Sequence, residues 1–272
     1  MADHSCPIID HIVVLVPHAT LEALPDRLRD SFVVAPGGRH ADGLTANKLI
    51  LFQDGAYIEL IAFVDGVDPG RRRRHRWGQL RESSVVDWAY TLPHERDFAA
   101  VQQRLTQADT GIVYSDPVAG GRTRPDGTVL EWAVAMARGA DGEALPPGRM
   151  PFWCLDRTRR DLRVPYAQEP RLARHPCGAR GVSAVALTAP RGVVGPLGRA
   201  YDAIHGASFG GGPWRFRVSS DLGCGGGGRH EASLAARDGA EPEELQLSLH
   251  GDAAADVELV PGLTVRIEPS SG

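Results

Sequence analysis

No stretch of this chain approaches the roughly 20 consecutive apolar residues that a bilayer crossing requires, so no membrane span is expected in its 272 residues. The apolar run Ile8 to Val16 is interrupted by Asp10 and His11. The residues before it offer Asp3 and His4 where a secretory signal carries basic side chains, so a cytoplasmic protein is expected. Cysteine is scarce: Cys6, Cys154, Cys177 and Cys224 lie far apart with no CxxC pair, which argues against a structural zinc site and a disulfide framework. Charge of one sign is lacking too. The formal net charge of -4 gives no reason to expect nucleic acid, since phosphate binders present a basic face. The one basic run, Arg71 to Arg74, follows Gly66, Pro69 and Gly70 and reads as a solvated loop. No GxSxG elbow or HExxH pair occurs, and the glycine run Gly223-Cys224-Gly225-Gly226-Gly227-Gly228 follows no convincing strand. The common hydrolase, metalloprotease and dinucleotide-binding signatures are therefore absent.

What is present is a globular composition, 42% hydrophobic and 24% charged, at a length that suits one large domain or two small ones. Ile8 to Val16 is β-branched and ends at Pro17, which predicts a buried strand. Thr20 can cap a helix to about Asp30 with Leu21, Leu24 and Leu28 on one face. A short strand, Phe32 to Ala35, is expected to break at Pro36-Gly37-Gly38. Lys48 to Gln53 and Ala56 to Phe63 follow as a hairpin around Asp54-Gly55. The order then repeats: strand Val85 to Leu92 ending at Pro93, helix Glu95 to Ala108, strands Ile112 to Ser115 and Thr128 to Ala137 around a turn at Pro125-Asp126-Gly127, and a strand near Phe152 to Asp156. Internal repetition fixes an architecture more firmly than any one element. The expectation is an α+β fold of paired βαβββ modules over residues 8–158, a linker at 159–180 broken by Pro165, Pro170 and Pro176, and an irregular third module at 181–268. Gly225 to Gly228 reads as a flexible loop and Pro269 to Gly272 as a disordered tail.

Three stretches carry a resemblance. They are Ile9-Asp10-His11-Ile12-Val13; Pro36-Gly37-Gly38-Arg39-His40 through Thr45-Ala46-Asn47 to Tyr57-Ile58-Glu59-Leu60-Ile61; and Arg124-Pro125-Asp126-Gly127 with Trp132, followed by Pro151-Phe152 and His175-Pro176. Over about residues 8 to 182 the chain resembles the glyoxalase-like domain proteins of the vicinal oxygen chelate superfamily. The resemblance implies modules that curl into a cupped, open-barrel mixed sheet with helices outside, binding a small oxygenated molecule on the concave face. It also implies a divalent metal, Zn, Fe, Mn or Ni, held from the first and last strands of each module. His11 and Glu59 stand at those positions in the first module, and imidazole and carboxylate suit such ions. In the second module, alignment of Pro17 with Pro93 puts Asp87 opposite His11 and leaves Cys154 or Asp156 opposite Glu59.

The expected metal ligands are therefore His11, Glu59 and Asp87, with Glu59 and His40 as catalytic groups and Thr45, Asn47, Trp132 and His175 around the substrate. The blander alternatives are a strand histidine satisfied by a neighbour, Glu59 paired with Arg39 or Arg122, turn-forming Thr45 and Asn47, and core tryptophans. Three functions remain open: a metal-assisted lyase, isomerase or oxygenase acting on a small molecule; a metal-free protein that sequesters a ligand in the same cup; and a C-terminal third that pairs two copies into a homodimer through uncovered sheet edges.

Overall fold

The computed structural model describes residues 6–124, 127–206, 212–222, 230–239 and 243–270. The glycine run Gly225 to Gly228, Cys224, Pro125-Asp126 and the last two residues of the tail lie outside them.

The first module is β1 (Ile8–Leu15), α1 (His18–Arg27), β2 (Ala35–Arg39), β3 (Thr45–Leu51) and β4 (Tyr57–Phe63). A short helix, α2 (Pro69–Arg74), leads to the second: β5 (Ser84–Thr91), α3 (Phe98–Gln107), β6 (Ile112–Tyr114), β7 (Val118–Thr123), β8 (Val129–Ala135), β9 (Ala137–Gly139) and β10 (Phe152–Asp156). After α4 (Arg160–Arg163) come β11 (Ala179–Pro190), α5 (Arg191–His205), β12 (Trp214–Arg215), β13 (Glu231–Arg237), β14 (Glu244–Gly251), β15 (Ala255–Val260) and β16 (Leu263–Pro269).

The first two modules form one curled sheet of eight strands in the order β2-β3-β4-β1-β5-β10-β8-β7. β1 and β5 pair antiparallel at its centre, and each is flanked by the parallel last strand of its own module, β4 or β10. Strand alternation sorts the side chains. Ile12, Val14, Ile58 and Leu60 face the helices, where Leu21 and Leu24 of α1 and Phe98, Val101 and Leu105 of α3 cover them. Val13, Leu15, Ile61 and Ala89 face the concave side.

A second sheet, β12-β13-β11-β14-β16-β15, repeats this plan with fewer strands. β11 and β14 pair antiparallel at its centre, with β13 and β16 parallel to them. The irregular third module of the sequence is thus two shortened modules, the second without a helix among the described residues. The two sheets share one core, in which Val182, Leu187 and Leu249 join the apolar set of the first sheet.

Several elements differ from expectation. α1 begins at His18, and the carbonyl of Pro17 accepts from Leu21 N–H at 3.0 Å, so Thr20 lies within the first turn and caps nothing. β2 runs through Pro36-Gly37-Gly38 instead of ending there, because Gly37 lets the strand approach β3 closely. A Cβ at Gly37 would lie 2.2 Å from the Asn47 carbonyl oxygen. The arginine run is helical, started by Asp68, whose side chain accepts from Arg71 N–H at 2.8 Å. Ile112–Tyr114 pairs with β9 as a separate ribbon, and the module's outer strand is instead β7. Residues 159–180 carry α4, and Arg163 within it is buried.

Candidate functional site

β1 holds an irregularity that builds the site. Ile9 stands opposite Tyr90 and His11 opposite Ala89, so Asp10 is an extra residue in the strand, a β-bulge. A bulge breaks the alternation of faces, and two consecutive polar side chains meet: His11 Nδ1 lies 2.5 Å from Asp10 Oδ1. A carboxylate can only accept, so in the neutral ring Nδ1 carries the proton and the Nε2 lone pair is left for the cavity. The ring is stacked on Tyr57 at 4.7 Å and meets the edge of Phe152 at 5.2 Å.

Asp10 is fully buried, which alone would raise its pKa. Arg160 and Arg163 outweigh burial and hold its carboxyl well below the usual range. Arg163 donates to Asp10 at 2.7 Å, to Asp156 at 2.7 Å and to the Tyr57 hydroxyl at 2.8 Å. Arg160 donates to Asp10, and to Asp156 at 3.2 Å. Two acids and two guanidinium groups therefore close a neutral cluster beneath His11, and Asp156 is spent within it instead of serving as a second-module ligand.

Glu59 projects from β4 into the same cavity. Its Oε2 is 3.8 Å from His11 Nε2, its Oε1 is 3.6 Å from His40 Nε2, and Asn47 Nδ2 donates to Oε1 at 2.6 Å. Burial works to raise this carboxyl, but the His40 contact, the charges of His11 and His40 and the Asn47 amide prevail and bring it down to about 2. Burial likewise works to lower His40, and Glu59 outweighs it, so that imidazole titrates above its ordinary value. The outer nitrogen of His40 is fixed by Thr45, whose Oγ1 lies 2.7 Å from Nδ1. Asn47 is fixed in turn, its Oδ1 accepting from Gly38 N–H at 2.9 Å.

The cavity has a volume of about 220 Å³. His11, His40, Asn47, Glu59 and Trp132 line it together, as do Arg122, Met136, Phe152 and Cys154. The Arg122 guanidinium makes no hydrogen bond or ion pair among the described residues, and Glu59 forms an ion pair with neither Arg122 nor Arg39. Thr45 stands behind His40 and supports it.

Two expected residues are elsewhere. Asp87 stands opposite Val13 and is fully buried; it accepts from Trp77 Nε1 at 2.8 Å, Gly148 N–H at 3.0 Å and Trp88 N–H at 3.1 Å, with Arg76 at 2.5 Å. Its burial pushes its pKa up, and its oxygens are already engaged, so it does not join His11. His175 packs between Phe32 and Phe52, accepting from Val33 N–H at 3.1 Å and donating to the Leu51 carbonyl at 2.9 Å, away from the cavity. Cys154 is a wall group: burial pushes its thiol far up, which disfavours the thiolate a metal would need.

The donors of the first module fit a divalent ion. His11 and Glu59 present free imidazole nitrogen and carboxylate oxygen to one cavity, and His11 has the carboxylate partner behind it that orients metal-binding histidines. Sequence reasoning missed the supporting residues Asp10, Arg160 and Arg163. Their only signal was a charged residue beside His11 inside an apolar strand.

The profile of the family described as "Glyoxalase-like domain" matches residues 9–194. No curated protein matches the chain. A hypothetical protein from Staphylococcus aureus shares 12% identity with a TM-score of 0.64, over 97% of this chain and 99% of its own. A xylose isomerase-like TIM barrel/4-hydroxyphenylpyruvate dioxygenase fusion protein has 12% identity and a TM-score of 0.49, over 91% of this chain and 37% of its own. Methylmalonyl-CoA epimerase from Mycobacterium tuberculosis has 15% identity and a TM-score of 0.36, over 57% of this chain and 92% of its own.

Proposed function

We propose that this chain, which belongs to the glyoxalase-like domain family, is an enzyme that binds a small, anionic, oxygenated molecule in the cup of its eight-stranded sheet and moves a proton next to a carbonyl. The observation that carries this reading is the convergence of Glu59 with two imidazoles whose outer nitrogens are both anchored, His11 by Asp10 and His40 by Thr45. Such anchoring fixes reactive geometry in advance, which is where catalytic groups gain over the same groups in water.

His11 and Glu59 are the residues that would hold a divalent ion, and the ion would supply Lewis acidity toward two neighbouring substrate oxygens. Arg122 offers its unpartnered guanidinium to a carboxylate or enolate oxygen. His40, at the half-exposed mouth of the cavity, takes and returns the proton at Nε2 while Thr45 holds Nδ1. Trp132, Met136 and Phe152 wall the substrate off from water. A cavity near 220 Å³ limits the enclosed portion to a few heavy atoms beyond a carboxylate.

The test is elemental analysis of protein purified without chelator or affinity metal, with proton NMR of small 2-oxo acids and α-hydroxy ketones in D2O. The expected result is about one metal per chain, lost in Glu59→Gln and His11→Ala, and deuterium exchange next to the carbonyl that His40→Gln abolishes while keeping the metal. A second reading, a metal-free binding protein, draws on the second module, which presents Cys154, Phe152 and Trp132 where ligands would complete the site. Ligand retention without metal and without exchange would favour it.

A further inference from the structure

A second group of ligating side chains lies where the two sheets meet. Asp54 sits in the turn between β3 and β4, His230 immediately precedes β13, and His250 is on β14. One ligating atom from each lies within 4.8 Å of the others. Asp54 and His230 are buried, and the His250 side chain is 24% exposed.

The hydrogen bonds around the two rings fix their protons. His230 Nδ1 lies 2.7 Å from the Val182 carbonyl, which can only accept, so Nδ1 carries hydrogen. His250 Nδ1 lies 3.2 Å from Ser270 Oγ, and that hydroxyl already donates to the Gly251 carbonyl at 3.2 Å, so here too Nδ1 is the donor. In its neutral form each ring keeps its Nε2 lone pair. His250 Nε2 is buried without a hydrogen-bond partner and faces Asp54 Oδ2 at 3.8 Å. In that form two acceptors face one another, an arrangement that a bound cation satisfies. Donation of the distal N–H to a carbonyl or hydroxyl is also the usual support behind a metal-bound histidine.

Gly181 lets the backbone pack closely against two of these groups. A Cβ on Gly181 would lie 2.1 Å from Asp54 Oδ2 and 2.3 Å from His250 Nε2. Gly181 does not have the positive φ that would itself demand glycine, so its close packing against Asp54 and His250 is the physical reason for the residue, and a side chain here would push the two ligands apart. Asp54 is held by Ala56 N–H on Oδ1 and Val182 N–H on Oδ2, each at 2.8 Å, which leaves lone pairs on both oxygens.

We infer that Asp54, His230 and His250 form a site for a divalent transition-metal ion of the zinc class, which clamps the hairpin of the first sheet onto β13 and β14 of the second. Two imidazoles and a carboxylate select zinc, cobalt or nickel over magnesium or calcium. Ligands on a tetrahedral ion of this kind stand about 3.4 Å apart, so the 3.8 Å pair closes by only a few tenths of an ångström. The partly exposed His250 leaves the fourth position to water. The site is separate from the cup and stands whether or not the cup holds metal.

The experiment uses full-length protein carrying Glu59→Gln, so that the cup does not contribute, stripped with chelator and titrated with Co2+ and then Zn2+. The expected result is one Co2+ per chain with the visible bands of tetrahedral cobalt, displaced by Zn2+, and a Tm higher by about 5 °C at metal one hundred times its Kd. Gly181→Ala and His230→Ala should abolish both signals. If far-UV circular dichroism shows either variant unfolded, His250→Gln replaces it, since its amide can keep the bond to Ser270. Absence of Co2+ binding in the Glu59→Gln protein, or undiminished binding in the folded variants, overturns the assignment.

Discussion

Asp10 and His11 are neighbours in sequence that share one side of a strand, and the bulge responsible leaves no mark in composition or periodicity. The same holds for His175, which sequence placed around the substrate. Its neighbours Pro176 and Cys177 say nothing of Phe32 and Phe52, which come from more than a hundred residues away and enclose it. His11 and Glu59 were legible, because polar groups in apolar runs advertise a purpose, and His40 was legible through the glycine turn it follows; their supporting arginines were not, because an arginine in a polar segment advertises nothing. His175 has its own consequence. Burial brings it down to about 4, whereas an unfolded chain protonates it near 6.5. Between these values the unfolded state holds a proton that the folded state lacks, so stability falls as pH drops from 6.5 toward 4, by up to about 3 kcal/mol. Above 6.5 the group contributes no pH dependence. In His175→Gln an amide can make both hydrogen bonds without titrating, and the difference between urea midpoints at pH 7 and pH 4.5 should shrink. An unchanged difference would place the acid sensitivity elsewhere.

Among the elements, the strands bounded by Pro17 and Pro93 and the Asp54-Gly55 hairpin followed from local chemistry, since a buried apolar run and a turn dipeptide are each self-contained signals. β7 was invisible: Val118–Thr123, with two glycines and an exposed Val118, has neither alternation nor an apolar face. β2 was misplaced because Pro-Gly-Gly normally ends a strand, whereas here its lack of side chains permits close approach to β3. Gly37→Ala tests that account. The added methyl has backbone, the Asn47 carbonyl, on its path at 2.2 Å, so relief requires moving a strand. Destabilisation of about 2 kcal/mol or more is expected in urea denaturation, together with, on the proposed reading, weaker metal retention in the cup through the displaced Asn47. A variant as stable as the parent would show that the edge of the sheet yields freely.

At the scale of the molecule, the two sheets bury their apolar faces in one continuous core, and Arg104 of α3 donates to the carbonyls of Ala203 and Ile204 at the end of α5, at 2.8 and 3.0 Å. Such sharing predicts a single calorimetric transition with equal van't Hoff and calorimetric enthalpies; two resolved transitions would make the halves independent. The eight-stranded sheet itself is a duplication whose copies have diverged in content. On the proposed reading, the groups that decide what reaction occurs, His11, His40 and Glu59, all precede residue 60, while Arg122, Trp132, Met136 and Phe152, which shape what can enter, all follow residue 120. Appetite and chemistry are thus written on different stretches of the chain, so a lineage could acquire a new substrate by drift in one copy while the other keeps its trade unchanged.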